Sequence, residues 1–246
     1  MAKGKERLDK RLVASGLATT RERARALILE GRVEVAGRRR DKPGAWVGPE
    51  EPVALSRPDH PYVSRGGVKL EGALRAFDVN PEGRVALDVG ASTGGFTHCL
   101  LLHGAQKVFA VDVGYGQFAW SLRNDCRVVL FERTNIRTLS ADMIPKAIEL
   151  AVMDVSFISL KKVIPCVLPV LAREGELICL VKPQFEAGKG KVGKGGVVRD
   201  EEQIEAILED MRRFVEDQRL AFCGIRESVL KGPKGNREFF LYARRS

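Results

Sequence analysis

An apolar run that ends on a carboxylate and opens into a glycine-rich turn constrains this chain more than any other feature. Arg84-Val-Ala-Leu-Asp88-Val-Gly90-Ala-Ser-Thr-Gly94-Gly95-Phe96 reads as a strand closing on Asp88, then a tight loop through Gly90, Ala91, Ser92, Gly94, Gly95 and Phe96, with a helix over Thr97 to Leu102. Glycines there permit positive φ and let the backbone approach a ligand, and open α/β sheets bind ligands at the carboxyl ends of their strands. The next apolar run, Lys107-Val-Phe-Ala-Val-Asp112-Val, ends in a second carboxylate 22 residues after Gly90, near the offset at which an acid meets a ribose diol in nucleoside-binding α/β folds. One such carboxylate alone is most simply a strand end. Two of them flanking a glycine-rich turn point to a nucleoside-containing cofactor.

Three rival chemistries fail on the same letters. A dinucleotide oxidoreductase wants G-x-G-x-x-G after the strand, and Ser92 occupies the place of the second glycine. Gly90-Ala-Ser92-Thr-Gly94 matches the nucleophile elbow of hydrolases, but that triad needs a histidine downstream, and none follows His103. His98 and His103 fall within the helix after the loop and read as helix-face residues. Gly188-Lys-Gly-Lys-Val-Gly193-Lys194-Gly195 resembles a phosphate-binding loop with glycine where magnesium needs Ser or Thr, so it reads as a flexible basic loop.

Strand-like runs recur at Val85 to Val89, Lys107 to Val113, Val128 to Phe131, Leu150 to Val155, Glu176 to Val181, Ala221 to Leu230 and Glu238 to Tyr242, with helical stretches between the first several. This predicts an α/β fold on a seven-stranded sheet. The last two runs are joined by Lys231 to Arg237 with no helix, which predicts a hairpin and one antiparallel strand.

The first sixty residues differ in character: they carry 14 Lys and Arg against 9 Asp and Glu, or +5 of the chain's +9, and lack long apolar strands. They predict a separate small α+β domain (residues 1–60) ahead of the sheet domain (61–246). Leu8 and Leu12 share one helical face while Arg7, Lys10 and Arg11 share another, and Gly16 breaks the helix. Thr19 and Glu22 have capping-box spacing before a second helix, in which Ala24, Leu27 and Ile28 face inward and Arg21 and Arg25 outward. A short strand at Arg32 to Val35, a Gly37 turn and a positive tip at Arg38, Arg39 and Arg40 follow. A lone basic helix face is usually only solvated. Two helices plus an arginine-rich turn gather enough charge on one side to suit nucleic-acid phosphates.

At 246 residues and 44% apolar content there is room for both domains and a core. No signal-peptide pattern opens the sequence, and the longest apolar stretches are far shorter than the roughly 20 residues of a membrane span, which predicts a cytoplasmic protein without a membrane partner. Cys99, Cys126, Cys166, Cys179 and Cys223 are scattered without C-x-x-C spacing, mostly inside apolar runs, and read as reduced core residues, not metal ligands or disulfides.

The small domain's Arg7-Leu-Asp-Lys-Arg-Leu-Val, Thr20-Arg-Glu-Arg-Ala-Arg-Ala-Leu-Ile and Gly31-Arg-Val-Glu-Val resemble the S4-type ribosomal RNA-binding domain over about residues 5 to 55. Val63-Ser-Arg-Gly-Gly-Val-Lys69-Leu, Leu87 to Phe96, Met153-Asp-Val-Ser-Phe-Ile-Ser-Leu160 and Val181-Lys-Pro-Gln-Phe-Glu186 resemble the TlyA (hemolysin A) family of FtsJ-like ribosomal RNA methyltransferases. The resemblance implies a Rossmann-like methyltransferase fold, S-adenosylmethionine as donor, ribosomal RNA or ribosomal subunits as partner, and 2′-O-methylation of cytidine. It also carries the family's catalytic tetrad onto Lys69, Asp154, Lys182 and Glu238, with Lys182 as base or oxyanion-steering group, Asp154 and Glu238 orienting the lysines, and Lys69 completing the network. A lysine titrates near 10.4 unless burial or a cationic neighbour lowers it, and the second lysine would serve as that neighbour. The alternative is a non-catalytic RNA-binding or membrane-active protein retaining the fold; the tetrad and glycine loop weigh against it. Arg57 to Val63 reads as a stiff linker, whose His60-Pro61-Tyr62-Val63 stands where the family has a tetrapeptide thought to affect donor binding. Its first two residues depart from the basic and small ones of the family.

Overall fold

A computed structural model describes residues 4–29, 31–56, 60–138, 143, 144, 147–188, 193, 196–232 and 235–245. The chain forms two units, Met1–Pro61 and Tyr62–Ser246.

In the first unit the i, i+4 leucines do what their spacing dictates. A short strand β1 (Glu6–Arg7) leads into α1 (Leu8–Ala14), whose fully buried Leu8 and Leu12 pack on Ala24, Leu27 and Ile28 of α2 (Arg21–Leu29). The cap of α2 is Thr20, not Thr19: its Oγ1 accepts the Arg23 N–H at 3.1 Å. Gly31, at φ +67°, lets the chain leave the helix. Next come β2 (Val33–Val35) and β3 (Arg38–Arg40), antiparallel across Ala36 and Gly37, whose positive φ values of 50° and 72° match the two-residue hairpin turn that follows sheet twist. The three arginines expected at a turn tip therefore form an exposed strand instead. β4 (Trp46–Val47) pairs with β1, and β5 (Val53–Leu55) with the free side of β2.

The second unit opens with α3 (Arg65–Phe77), then β6 (Val85–Val89), α4 (Gly95–Leu102), β7 (Lys107–Val111), α5 (Trp120–Arg123), β8 (Val128–Phe131), β9 (Ile148–Met153), α6 (Ile164–Val167), β10 (Leu171–Val181), α7 (Pro183–Glu186), α8 (Glu201–Asp217), β11 (Leu220–Glu227) and β12 (Phe239–Arg245). Its sheet runs β11-β12-β10-β9-β6-β7-β8. β12 is antiparallel to both neighbours, having folded back from β11 and inserted beside β10; the other neighbouring pairs are parallel. Side chains alternate across the sheet: Val85, Leu87 and Val89 join the core under α6 and α8, while Ala86 faces the core under α3 and α4. Both faces are covered, so the strands are near-continuous apolar runs.

The strand order reverses between β6 and β9, and ligands of open α/β sheets bind outside the strand ends at such a switch point. Gly90 follows β6 and Asp154 follows β9. Two expected features lie partly beyond the described residues: Arg57 to Asp59 of the linker, and residues 189–192, 194 and 195 of the basic loop. Tyr62, read as linker, is buried in the second unit against Gly67, and the Val63 N–H donates to His98 Nδ1 on α4 at 3.1 Å. Among the described residues no helix is long and apolar enough to cross a membrane.

Candidate active site

The glycine loop is held from both ends by the two strand-end carboxylates. Asp88 is fully buried; its Oδ2 accepts the Thr97 N–H at 2.9 Å and the Thr97 hydroxyl at 2.7 Å, tying the first turn of α4 to β6. Its Oδ1 has no hydrogen-bond partner among the described residues. Burial pushes the Asp88 carboxyl up to about 7, with Thr97 opposing and the charges of Asp154 and Asp112 adding to the rise. Asp112 accepts the Ser92 N–H at 2.7 Å and the Gly114 N–H at 2.6 Å, so it fixes the loop while keeping lone pairs for a ligand.

The loop has little room for side chains. Gly90 has φ +84°, and a Cβ there would lie 2.6 Å from the Asp154 carbonyl oxygen. A Cβ at Gly95 would collide with Ser64 Oγ at the start of α3. Gly94, at φ +91°, faces Leu122 and Phe118, away from the cavities. Gly90, Ala91, Ser92, Gly95 and Phe96 line a cavity of about 400 Å³ that also takes in Lys69, Asp154, Arg65 and Lys231. An adjoining cavity of about 510 Å³, sharing Gly90, Ser92 and Asp154 with the first, is lined by Asp112, Asn135, Ser156 and Phe157.

The four tetrad positions form two ion pairs. Lys69 on α3 donates to Glu238 Oε2 at 2.5 Å, although 169 residues separate them. Lys182, just past β10, lies 2.5 Å from Asp154 Oδ1 and donates to Ser156 Oγ at 3.0 Å. Each lysine thus has a carboxylate, not the other lysine, as its immediate partner. Both lysines are 8% exposed and Glu238 is 1% exposed. A side chain at Gly232 would have to displace Glu238 Oε1, so the β11–β12 connection passes close against that carboxylate.

Several residues at this site escaped the sequence reading. Ser156 seats Lys182, and Glu186 clips the two loops together, accepting from Ser159 Oγ at 2.5 Å and the Leu160 N–H at 2.9 Å. Burial raises the Glu186 carboxyl. Phe157 is 92% exposed at φ +64°, with its ring 5.2 Å from Phe185. A bulky residue in that conformation is a genuine backbone outlier, and such strain clusters at functional sites. The motifs Met153 to Leu160 and Val181 to Glu186 contained these residues, but nothing in them tells which way each side chain points.

In the first unit the six basic residues read as phosphate contacts divide. Arg7 donates twice to the buried Asp9, both at 3.0 Å, and Arg21 adds a third bond at 2.9 Å. The Arg7 hydrogen bonds lead in holding the Asp9 carboxyl down to about 2. Arg11 binds Glu6 Oε1 at 2.8 Å and the Pro49 carbonyl at 2.7 Å. Lys10, Arg25 and Arg39 are exposed and form no ion pair among the described residues. These three hold fully available charge; Arg7, Arg11 and Arg21 also brace the fold.

Residues 62–245 match the family model of FtsJ-like methyltransferases, and residues 6–53 match the S4 domain. The chain is 47% identical to the 16S/23S rRNA (cytidine-2′-O)-methyltransferase TlyA of Mycobacterium tuberculosis, over 97% of this chain and 89% of that one. Identity is 45% to YqxC of Bacillus subtilis, provisionally named an rRNA methyltransferase, over 98% and 86% of the two chains. A solved Streptococcus thermophilus chain, provisionally named a hemolysin, superposes with a TM-score of 0.78 at 40% identity, covering 100% of this chain and 90% of its own.

Proposed function

The chain belongs to the FtsJ-like methyltransferase family, and from that premise we propose that it moves a methyl group from S-adenosylmethionine to the 2′-hydroxyl of a cytidine ribose in ribosomal RNA. The observation carrying this reading is the pair of lysine–carboxylate contacts, Lys182–Asp154 and Lys69–Glu238, each with its lysine buried, beside a glycine-rich cradle at the sheet's switch point.

The residues present fit the donor. Asp88 keeps a carboxyl oxygen without a hydrogen-bond partner among the described residues, Asp112 can accept ribose hydroxyls, and the two adjoining cavities suit a nucleoside joined to a cationic amino acid. When bound, S-adenosylmethionine supplies an electrophilic methyl on a sulfonium sulfur and departs as a neutral thioether. Lys182, held as an ammonium by Asp154 and Ser156, donates to the ribose 2′-oxygen and offsets the charge that grows there as the new C–O bond forms, while the hydroxyl proton passes to the Asp154 carboxylate. Lys69, fixed by Glu238, lines the glycine-loop cavity, where its ammonium favours the growing alkoxide character. Phe157 offers its exposed face to a base. The basic residues of the first unit grip RNA, and the second unit carries out the transfer. The working location is the cytoplasm, where ribosomes are found.

Donor-labelled methyl transfer to ribosomal subunits from cells lacking this activity tests the reading, with the position mapped by resistance of its phosphodiester to alkali. A protected cytidine is the expected result. Label without protection would mean base methylation and would remove the tetrad's assigned role.

A further inference from the structure

The tetrad leaves the active site with no net charge to offer a polyanion. Lys69 is neutralised by Glu238 and Lys182 by Asp154, all four by direct contact. Two other cations line the same cavity. Arg65 is exposed on the first turn of α3, and Lys231 is exposed on the connection from β11 to β12. Arg65 Nη2 donates to the Lys231 carbonyl at 3.3 Å, which brings the two residues together at the cavity mouth. Neither forms an ion pair among the described residues. Glu227 feels the Lys231 charge but is taken by two hydrogen bonds from Arg237, at 2.9 and 2.7 Å.

A ribose within a chain carries a phosphate on each side, and the one attached at its 3′-oxygen is adjacent to the 2′-hydroxyl. Bringing that hydroxyl to Lys182 therefore brings backbone phosphates to the cavity mouth. We propose that Arg65 and Lys231 are the residues that grip the RNA phosphates flanking the target nucleotide, fixing the ribose for attack; this rests on the reading that the acceptor is RNA. The guanidinium, with one N–H committed to the Lys231 carbonyl, retains donors in a planar fork suited to a phosphate, and the ammonium adds a point charge. The donor's α-carboxylate is the competing anion, and the test separates the two.

The full-length chain is titrated into a short fluorescein-labelled single-stranded RNA at several salt concentrations, for wild type, Arg65→Gln, Lys231→Gln and the double variant. Calorimetry with S-adenosylmethionine gives donor affinity in parallel. Each neutralisation is expected to reduce the salt slope by about 0.7 and the double by about 1.4, as for lost single-strand phosphate contacts. Donor affinity should stay within about twofold, and Arg65→Lys should recover most of the slope. An unchanged slope with donor binding weakened about tenfold would assign the pair to the donor carboxylate and overturn the proposal. Arg173→Gln, at the other end of β10 from Lys182, controls for diffuse charge: an equal loss there also overturns it. Wild-type methyl transfer is scored separately, so an RNA that binds with the expected slopes but is never methylated sinks the reaction and leaves the grip standing.

Discussion

Lys182 is the residue on which the proposed chemistry turns, because it combines near-complete burial with two oxygen partners that fix its position. Lys182→Ala should cut kcat by about 10²- to 10³-fold, the usual worth of a positioned donor to a developing oxyanion, while calorimetry shows donor binding close to wild type. Turnover near wild type would remove Lys182 from that role. Glu238→Ala is a poorer probe, since stranding buried Lys69 costs about 3–5 kcal/mol of stability on its own account; Glu238→Gln keeps the shape. Asp88 makes a pH prediction. Its carboxyl is raised from an ordinary value near 4 to about 7, so the native state favours the protonated form. Stability linked to Asp88 is therefore full below about pH 4 and falls as pH rises through about 7. Asp88→Asn keeps an acceptor for Thr97 and removes the buried charge. It should melt higher than wild type at pH 8, by roughly 2–4 kcal/mol, with little difference at pH 4, and should bind the donor more weakly. Equal melting shifts at both pH values would show that the charge is not what the site carries.

Secondary elements were largely legible because their signals are local. Apolar runs marked the seven strands, Gly31 marked a helix end, and the absence of helical pattern between Lys231 and Arg237 marked the β11–β12 hairpin. Some ends moved: the run to Val113 stops at Val111, and the run to Leu230 stops at Glu227. What local signals do not contain is partnership. Insertion of β12 beside β10 depends on packing across the sheet, and the bond from Lys69 to Glu238 closes over a separation that no periodicity reports. The commitment of Arg7 and Arg21 to Asp9 was hidden for the same reason, since a basic helix face reads alike whether or not a buried acid lies beneath it. The loop element carries its own prediction. Gly90→Ala must place a methyl against the Asp154 carbonyl in a backbone conformation unfavourable to L-residues, so it should lose stability by about 1–3 kcal/mol and donor affinity by tenfold or more. A thermal melt with calorimetry decides; normal donor binding would place the ligand elsewhere than this loop.

For the whole molecule the charge distribution matters more than the total of +9, because only cations without internal partners are fully available to phosphates. Two sets of substitutions in the first unit separate these roles. The triple variant Lys10→Gln, Arg25→Gln, Arg39→Gln removes three exposed charges and should reduce the salt slope of RNA binding by about 2, weaken RNA uniformly, and leave both melting temperature and donor affinity alone. The pair Arg7→Gln, Arg21→Gln removes fewer charges but strips the buried Asp9 of its cations, so it should cost about 1–3 kcal/mol of stability. The pH dependence follows from the Asp9 carboxyl, held down to about 2: its ion pairs stabilise fully above about pH 4, and that contribution is lost as pH falls through 2. Unfolding of the pair variant should accordingly differ from wild type at neutral pH and converge with it in acid. If instead both variants shift the salt slope in proportion to charges removed and neither changes stability, the first unit behaves as a plain cationic surface, and Asp9 does not divide its arginines between bracing and binding.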